Sequence, residues 1–210
     1  MLHFSKDEIL ASEKQFRTNL INTVSGFKSV CLIGTTNTKG QTNLAIFNSI
    51  VHIGAHPPLI GFISRPNTVE RHTLNNILST GVYSINLISS NFYKEAHQTS
   101  ARYPQHVSEF ESTQLKEAYL NDFMAPYVHQ SPIKLGMEFK QKIDIDLNQT
   151  HLIIGEIQHI YCPDYCLDKE GNLSLEKANI IAGCGLDAYF STTKLARLQY
   201  AKPDSSPTEI

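Results

Sequence analysis

Apolar and polar residues alternate most regularly between positions 133 and 147. Ile133, Leu135, Met137, Phe139, Ile143, Ile145 and Leu147 share one parity; Lys134, Glu138, Lys140, Lys142, Asp144 and Asp146 share the other. A period of two predicts a long strand with one buried and one wet face. After a turn at Asn148 and Gln149, HLIIGEIQHIY is apolar at both parities, which predicts a more central strand. Upstream, KSVCLIGTT is a β-rich apolar run, NTKG turns the chain, and QTNLAIFNSIVHI returns as the partner strand. Two prolines in AHPPLIGFIS interrupt pairing, and a third strand resumes at Leu59. VYSINLI predicts another, and DAYFSTTKLARLQYA a last strand or pair of strands.

Helical periods are fewer. Ser5 and Glu8 form a capping box, and Ile9, Phe16, Leu20 and Val24 then fall on one face until Gly26, which predicts one helix. Asn67 and Glu70 predict a cap before a second helix, TVERHTLNNILST, closed by Gly81. SNFYKEAHQ predicts a short helix, a polar excursion runs on to about Pro132, and GNLSLEKANIIAG predicts a turn and a short helix. Short turns between strands imply antiparallel pairing, and alternating β and α units are missing. The expected fold is therefore mainly β: an antiparallel, Greek-key-like barrel, closed or nearly so, with peripheral helices, since closure removes exposed edges. It forms one domain over residues 1–203, with a flexible tail at 204–210.

Composition narrows the function more than the fold. Of 210 residues, 41% are hydrophobic and 18% charged, enough apolar material for a real core. A net charge of −2 gives no basic patch for nucleic acid or anionic membranes. No apolar run approaches the ~18–20 residues of a membrane span, and MLHFSKDEILASEKQFR lacks a signal-peptide pattern, so the expectation is a cytoplasmic protein. Its four cysteines, Cys31, Cys162, Cys166 and Cys184, are then reduced thiols, and Cys162 and Cys166 lack the further ligands a zinc site needs. His52 and His56 share a strand face roughly 13 Å apart, too far to bind one metal. No metal is expected.

Two motifs misfit their mechanisms. GCGLDA (183–188) matches a dinucleotide fingerprint, but the sequence after it reads as extended, not helical; the plainer reading is a loop that admits close backbone approach. GTTNTKG has lysine before glycine, the reverse of a phosphate loop, and reads as a hairpin turn. More informative is PPLIGFISRPNTVERHTLNNI. Ser64 and Arg65 end a strand, and Asn67 and Thr68 open a helix whose free N–H groups favour an anion. Arg65 and Arg71 add charge-assisted bonds, and Ser64, Thr68 and Thr73 add hydroxyls. This is a monophosphate site or, equally, a capped helix with exposed arginines. In GTTNTKGQTNLAIFNSI, Asn43 and Asn48 interrupt an apolar pattern, and buried amides need partners. A flavin's pyrimidine edge would supply them; so would backbone pairing at a barrel bend.

Taken in order, several segments resemble the flavin reductase-like, FMN-binding split-barrel family. They are the threonine-rich turn with Asn43, Leu44 and Ala45; Pro57 and Pro58; the T-x-x-N-I of residues 73–77; INLI; Glu109 and Phe110; the H-x-x-x-G-E of residues 151–156; and a glycine followed by Tyr189. The resemblance runs from about Asn19 to Pro203. It implies a homodimeric split barrel with FMN near the subunit interface. Thr36, Asn37, Asn43, Leu44, Ala45, Ile46, Phe47, Asn48 and Ser49 would line the ring and ribityl chain. Ser64, Arg65, Arg71 and Thr73 would hold the phosphate. His151 resembles a catalytic histidine near flavin and nicotinamide. Family members partnered with aromatic monooxygenases often carry proline and serine after the NLA alanine, where Ile46, Phe47 and Asn48 stand here.

The implied activity is NAD(P)H-dependent flavin reduction, with hydride passing from NADH or NADPH to the flavin and reduced flavin going to an oxygenase or another electron acceptor. The alternative is a flavoredoxin-like FMN electron carrier reduced by a protein partner. An oxidase of a vitamin B6 phosphate, and a haem-binding or structural barrel without flavin, rank behind these.

Overall fold

The computed structural model describes residues 1–66, 71–104 and 106–210. The single opening helix expected from the apolar repeat is instead two, α1 (Lys6–Ala11) and α2 (Lys14–Val24). The capping box at Ser5 and Glu8 forms. Ser12 then turns extended, and the Glu13 carboxylate accepts from Phe16 N–H, a second N-cap placed inside the repeat. Gly26 follows α2 in the left-handed conformation, at φ +78°.

The next elements are β1 (Lys28–Ser29), β2 (Cys31–Thr36), β3 (Thr42–Phe47), β4 (Ile50–Ala55), β5 (Pro58–Ser64), α3 (His72–Thr80) and β6 (Val82–Leu87). Then come α4 (Tyr93–Gln98), α5 (Glu109–Thr113), β7 (Glu117–Ala118), β8 (Tyr127–Val128), β9 (Lys134–Ile145), β10 (Thr150–Tyr161), β11 (Ile181–Cys184) and β12 (Ala188–Ser191). Seven strands form one antiparallel sheet in the order β3-β2-β6-β9-β10-β5-β4. A small sheet, β1-β11-β12, lies beside it.

QTNLAIFNSIVHI is therefore not one returning strand. It breaks at Asn48 and Ser49, and its halves occupy opposite edges of the sheet. Two residues can join the edges only if the sheet curls until they nearly meet. That gives a barrel split between β3 and β4. Ser49 secures the corner: its hydroxyl donates to the Ile63 carbonyl (3.1 Å) and accepts from Ile63 N–H (3.2 Å).

The apolar run of β2 is buried along its whole length because both its faces meet a core. On one face Leu32 packs with Leu44, Ile88, Phe92 and Phe110, residues carried by or flanking β3, α4 and α5. On the other, Cys31 and Ile33 pack with Phe62, Tyr83, Met137 and Ile153 around Leu74 and Ile77 of α3. Burial alone pushes the Cys31 thiol pKa far up, so it behaves as a small apolar side chain.

Alternation in β9 places its apolar parity against the core only as far as Phe139. Gly155 of β10 pairs with Phe139 but Ile154 with Gln141, so Lys140 is an extra residue. This bulge inverts the pattern, because one added residue turns every later side chain to the other face. Ile143 then faces away from the core, opposite Leu152, and is 41% exposed. Leu147 lies beyond the strand, in the turn, and is exposed. Two further expectations need correction. α3 begins at His72, after an Arg71 with non-helical backbone, later than Thr68; Asn67, Thr68 and Glu70 lie outside the described residues. GNLSLEKANIIAG forms turns and then β11, with no helix, because Ile180 bridges to Ser89 and Ile181 N–H donates to Ile88 O.

Gly34 of β2 lies where a Cβ would collide with the Pro126 carbonyl oxygen, a backbone atom, and with Ser84 Oγ. Gly34→Ala is expected to destabilise the protein by about 1–3 kcal/mol. At roughly 2–4 °C per kcal/mol, thermal unfolding would resolve this easily, and an unchanged Tm would contradict the packing described.

Candidate functional site

The split between β3 and β4 opens onto a cavity of about 660 Å³. That lies inside the range of about 300–1,000 Å³ typical of small-molecule sites. Its walls come from five places: the β3–β4 corner, the end of β5, the start of α3, residues 99–104, and the turn between β11 and β12. Of the residues expected at a ligand site, Asn43, Ala45, Ile46, Phe47, Asn48, Ser49, Ser64, Arg65, Arg71 and Thr73 line it together.

Thr36, Asn37, Leu44 and His151 are not on this wall. Thr36 is buried at the end of β2, and Asn37 turns the hairpin, its side-chain oxygen accepting from the N–H groups of Lys39 and Gln41. Leu44 points into the core on the other face of β3. His151 is the cross-strand neighbour of Ser64 and of Asp144. Its Nδ1 lies 2.5 Å from Asp144 Oδ1, and its Nε2 is buried without a hydrogen-bond partner among the described residues. Lys142 and then His151 hold the Asp144 carboxyl below its usual range.

The two asparagines on the wall have protein partners. Asn43 Nδ2 donates to Thr73 Oγ1 (3.0 Å), and Asn76 Nδ2 to Thr35 Oγ1 (3.1 Å), so a buried amide–hydroxyl network ties α3 to β2 and β3. Asn48 Nδ2 donates to Gly185 O (2.8 Å), fastening the corner to the turn between β11 and β12. Gly185 stands at φ +65° in that turn, and a Cβ on Gly183 would strike Val30. GCGLDA is thus a hairpin turn with close backbone approach, followed by a strand.

What the corner leaves open is backbone. Leu44 N–H points away from β2 and donates to Glu109 Oε2 (2.9 Å). Backbone groups alternate along an antiparallel ladder, so Ile46, two residues on, turns its N–H and C=O to the same open side. β3 therefore offers an unpaired edge to the cavity. The lining is also cationic: Arg65, Arg71 and Arg102 reach the cavity from three segments. Burial, then the charges of Arg65 and Arg102, lower the Arg71 pKa, while its Nε donates to Pro66 O (3.2 Å). Tyr189 closes a third side, its hydroxyl 2.7 Å from His97 Nδ1; burial first, then Asp187, raises its pKa. Arg102 and residues 99–104 carry no local signal in the sequence, since they reach the cavity only because α4 packs against the β3 face.

Burial raises the pKa of Glu109 above the ordinary 4.5, against the lowering effect of the Leu44 N–H bond. A folded-state pKa above the unfolded one contributes stability that is full below the unfolded pKa and is lost as pH rises through the folded value. Hence the Tm of wild type minus that of Glu109→Gln should fall as pH rises from about 4 to about 8. A difference that grows with pH would contradict this assignment.

Residues 24–174 match the family model described as flavin reductase like domain. A crystal structure from Shewanella frigidimarina NCIMB 400, described as of flavin reductase type with a split barrel domain, is 45% identical with a TM-score of 0.93, covering 96% of this chain and 100% of that one. Nitrilotriacetate monooxygenase component B of Bacillus cereus shares the fold at TM-score 0.83 and 18% identity, over 94% and 98% of the two chains. So does the flavoredoxin of Desulfovibrio vulgaris (Miyazaki F), at TM-score 0.68 and 19% identity, over 86% and 92%. With its barrel split at Asn48 and Ser49 and the domain match spanning most of its length, this chain belongs to the flavin reductase-like domain family.

Proposed function

We propose that the protein is an FMN-binding NAD(P)H:flavin oxidoreductase whose flavin lies in the cavity at the barrel split. The observation that carries this reading is one cavity lined both by an open strand edge and by three arginines. These two features match the two parts of FMN, a polar heteroaromatic ring with donors and acceptors in a row, and a phosphate. Backbone groups at Ala45 to Ser49 would face the ring. Ser64, Thr73, Arg65 and Arg71 would hold the phosphate through hydroxyl and charge-assisted bonds. Asn43 and Asn48 act indirectly, fixing α3 and the turn between β11 and β12 around the ligand. Bound flavin supplies hydride acceptance at N5 from NADH or NADPH, and the protein supplies binding and orientation. His151, off the wall, would brace the ends of β9, β10 and β5 beside Ser64 through its contact with Asp144.

Family membership and the shared fold of a monooxygenase component B support an oxygenase as recipient of the reduced flavin. The flavoredoxin fold match keeps the electron-carrier reading in view. The two separate in one anaerobic experiment: FMN-loaded protein should lose its flavin absorbance on addition of NADPH or NADH. Bleaching by dithionite alone would favour the carrier. Arg71→Ala should weaken FMN binding by about tenfold to a hundredfold, the value of a charge-assisted hydrogen bond. Unchanged affinity in a fluorescence titration would remove the phosphate from this wall.

The same reading includes a homodimer. Beyond the β9 bulge, Ile143 and Leu152 share the outer sheet face with Ile63 and with Val51 and Ile53 of β4. Val51, Ile53 and Ile143 are each more than 40% exposed in one chain. A second copy on this face would cover an apolar surface that a soluble monomer seldom leaves open. Light scattering should find a dimer for wild type and a folded monomer for Val51→Glu combined with Ile143→Glu. A wild-type monomer, or a variant that stays dimeric, would refute this.

A further inference from the structure

The outer sheet face is small for a dimer interface. Val51, Ile53 and Ile143 are the large apolar side chains it exposes. A stable interface usually takes about 800 Å² and roughly 20–30 residues from each partner. A second copy held there must therefore meet other parts of the chain as well.

The segment after β12 has the properties such a contact requires. Residues 198–209 form a hairpin: Gln199 N–H donates to Thr208 O (2.9 Å), and at its base Ile210 N–H donates to Arg197 O (3.0 Å). Its root is fixed to the body. Arg197 pairs with Glu170 (2.8 Å) and Asp168 (3.5 Å), and Lys194 N–H donates to Glu176 Oε2 (3.4 Å). Past that root the hairpin reaches roughly 15–20 Å and buries nothing. Of residues 192–210, all but Arg197 are exposed; Leu195 is 100% exposed and Tyr200 92%, and Leu198 and Ile210 are more than half exposed.

A lone two-stranded hairpin is marginal at best in water. One that also turns its apolar side chains outward gains order only by lying on another surface. Its charges are mixed, Lys194 and Lys202 against Asp204 and Glu209, so it presents no patch of one sign to nucleic acid or anionic lipid. A two-fold pair of identical chains supplies the surface twice over, each copy receiving the other's hairpin.

We infer that residues 192–210 are an arm that docks reciprocally on a second copy of this chain, enlarging the interface that the outer sheet face begins. This rests on the homodimer reading above.

The test uses the full chain. Leu195→Glu combined with Tyr200→Glu alters side chains that are exposed in one chain, so far-UV circular dichroism should stay that of wild type. The dimer dissociation constant, from sedimentation over a dilution series, should rise about a hundredfold. Leu195→Met combined with Tyr200→Phe keeps the apolar surface and should stay within about threefold of wild type. Hydrogen exchange gives a readout independent of those substitutions. In the monomeric Val51→Glu, Ile143→Glu variant, the amides of Gln199 and Ile210 should exchange at least about tenfold faster than in wild type, while core amides such as that of Ile153 stay protected. Equal protection of the arm in both proteins would mean that it lies on its own chain, and would overturn the inference. A wild-type dimer whose dissociation constant the two glutamates leave within about twofold would overturn it too, with the homodimer reading intact. A wild type that is monomeric throughout the series would instead remove the homodimer reading beneath it.

Discussion

The crossing at Asn48 and Ser49 is the constraint on which the rest of the structure depends. Consecutive strands usually pair with each other; here β3 and β4 lie at the two ends of a seven-stranded order. Curling the sheet brings those ends near enough for two residues to connect them, but not to pair along their length. β3 keeps an unpaired side, and such an edge is normally a hazard that a protein covers. Part is covered by Glu109, which accepts from Leu44 N–H, and part opens onto the cavity. Site and split are one feature, and the hydrogen bonds from Ser49 to Ile63 and from Asn48 to Gly185 hold it in place.

A second layer of order comes from buried amides. Thr35, Asn43, Thr73 and Asn76 are all buried. An unsatisfied polar group there would cost about 1–3 kcal/mol. The donations from Asn43 to Thr73 and from Asn76 to Thr35 satisfy them while fixing where α3 starts relative to the strand edge. Arg71 directly precedes α3, so this network sets the distance between the arginine wall and the open backbone. Asparagines that look like ligand contacts in the sequence thus act one step behind the ligand.

Charge is divided to match. The β3 edge is neutral backbone, with Glu109 beside it kept toward its neutral form by burial, and Arg65, Arg71 and Arg102 line the same cavity. An anionic ligand entering such a cavity is oriented before any single hydrogen bond forms. On the outside, the bulge at Lys140 turns Ile143 away from the core, so one added residue exchanges interior packing for an outer apolar face.

By itself the sequence determined the strand-rich character, the turn at NTKG, the capping box at Ser5, the end of α3 at Gly81, and the grouping of the polar corner with Ser64, Arg65, Arg71 and Thr73. These are written in local periods and turn chemistry, or in an ordered family pattern, and need no long-range information. Only the tertiary structure decided that QTNLAIFNSIVHI divides between two sheet edges, because a strand and a strand broken by a two-residue crossing share the same alternation until their partners are known. Only it decided the inversion in β9, since a bulge is defined against the opposing strand. It also decided that Arg102 joins Arg65 and Arg71 while Leu44 and His151 stay off the cavity wall. Which side chains share a cavity depends on how distant segments pack, and no local pattern along the chain encodes that.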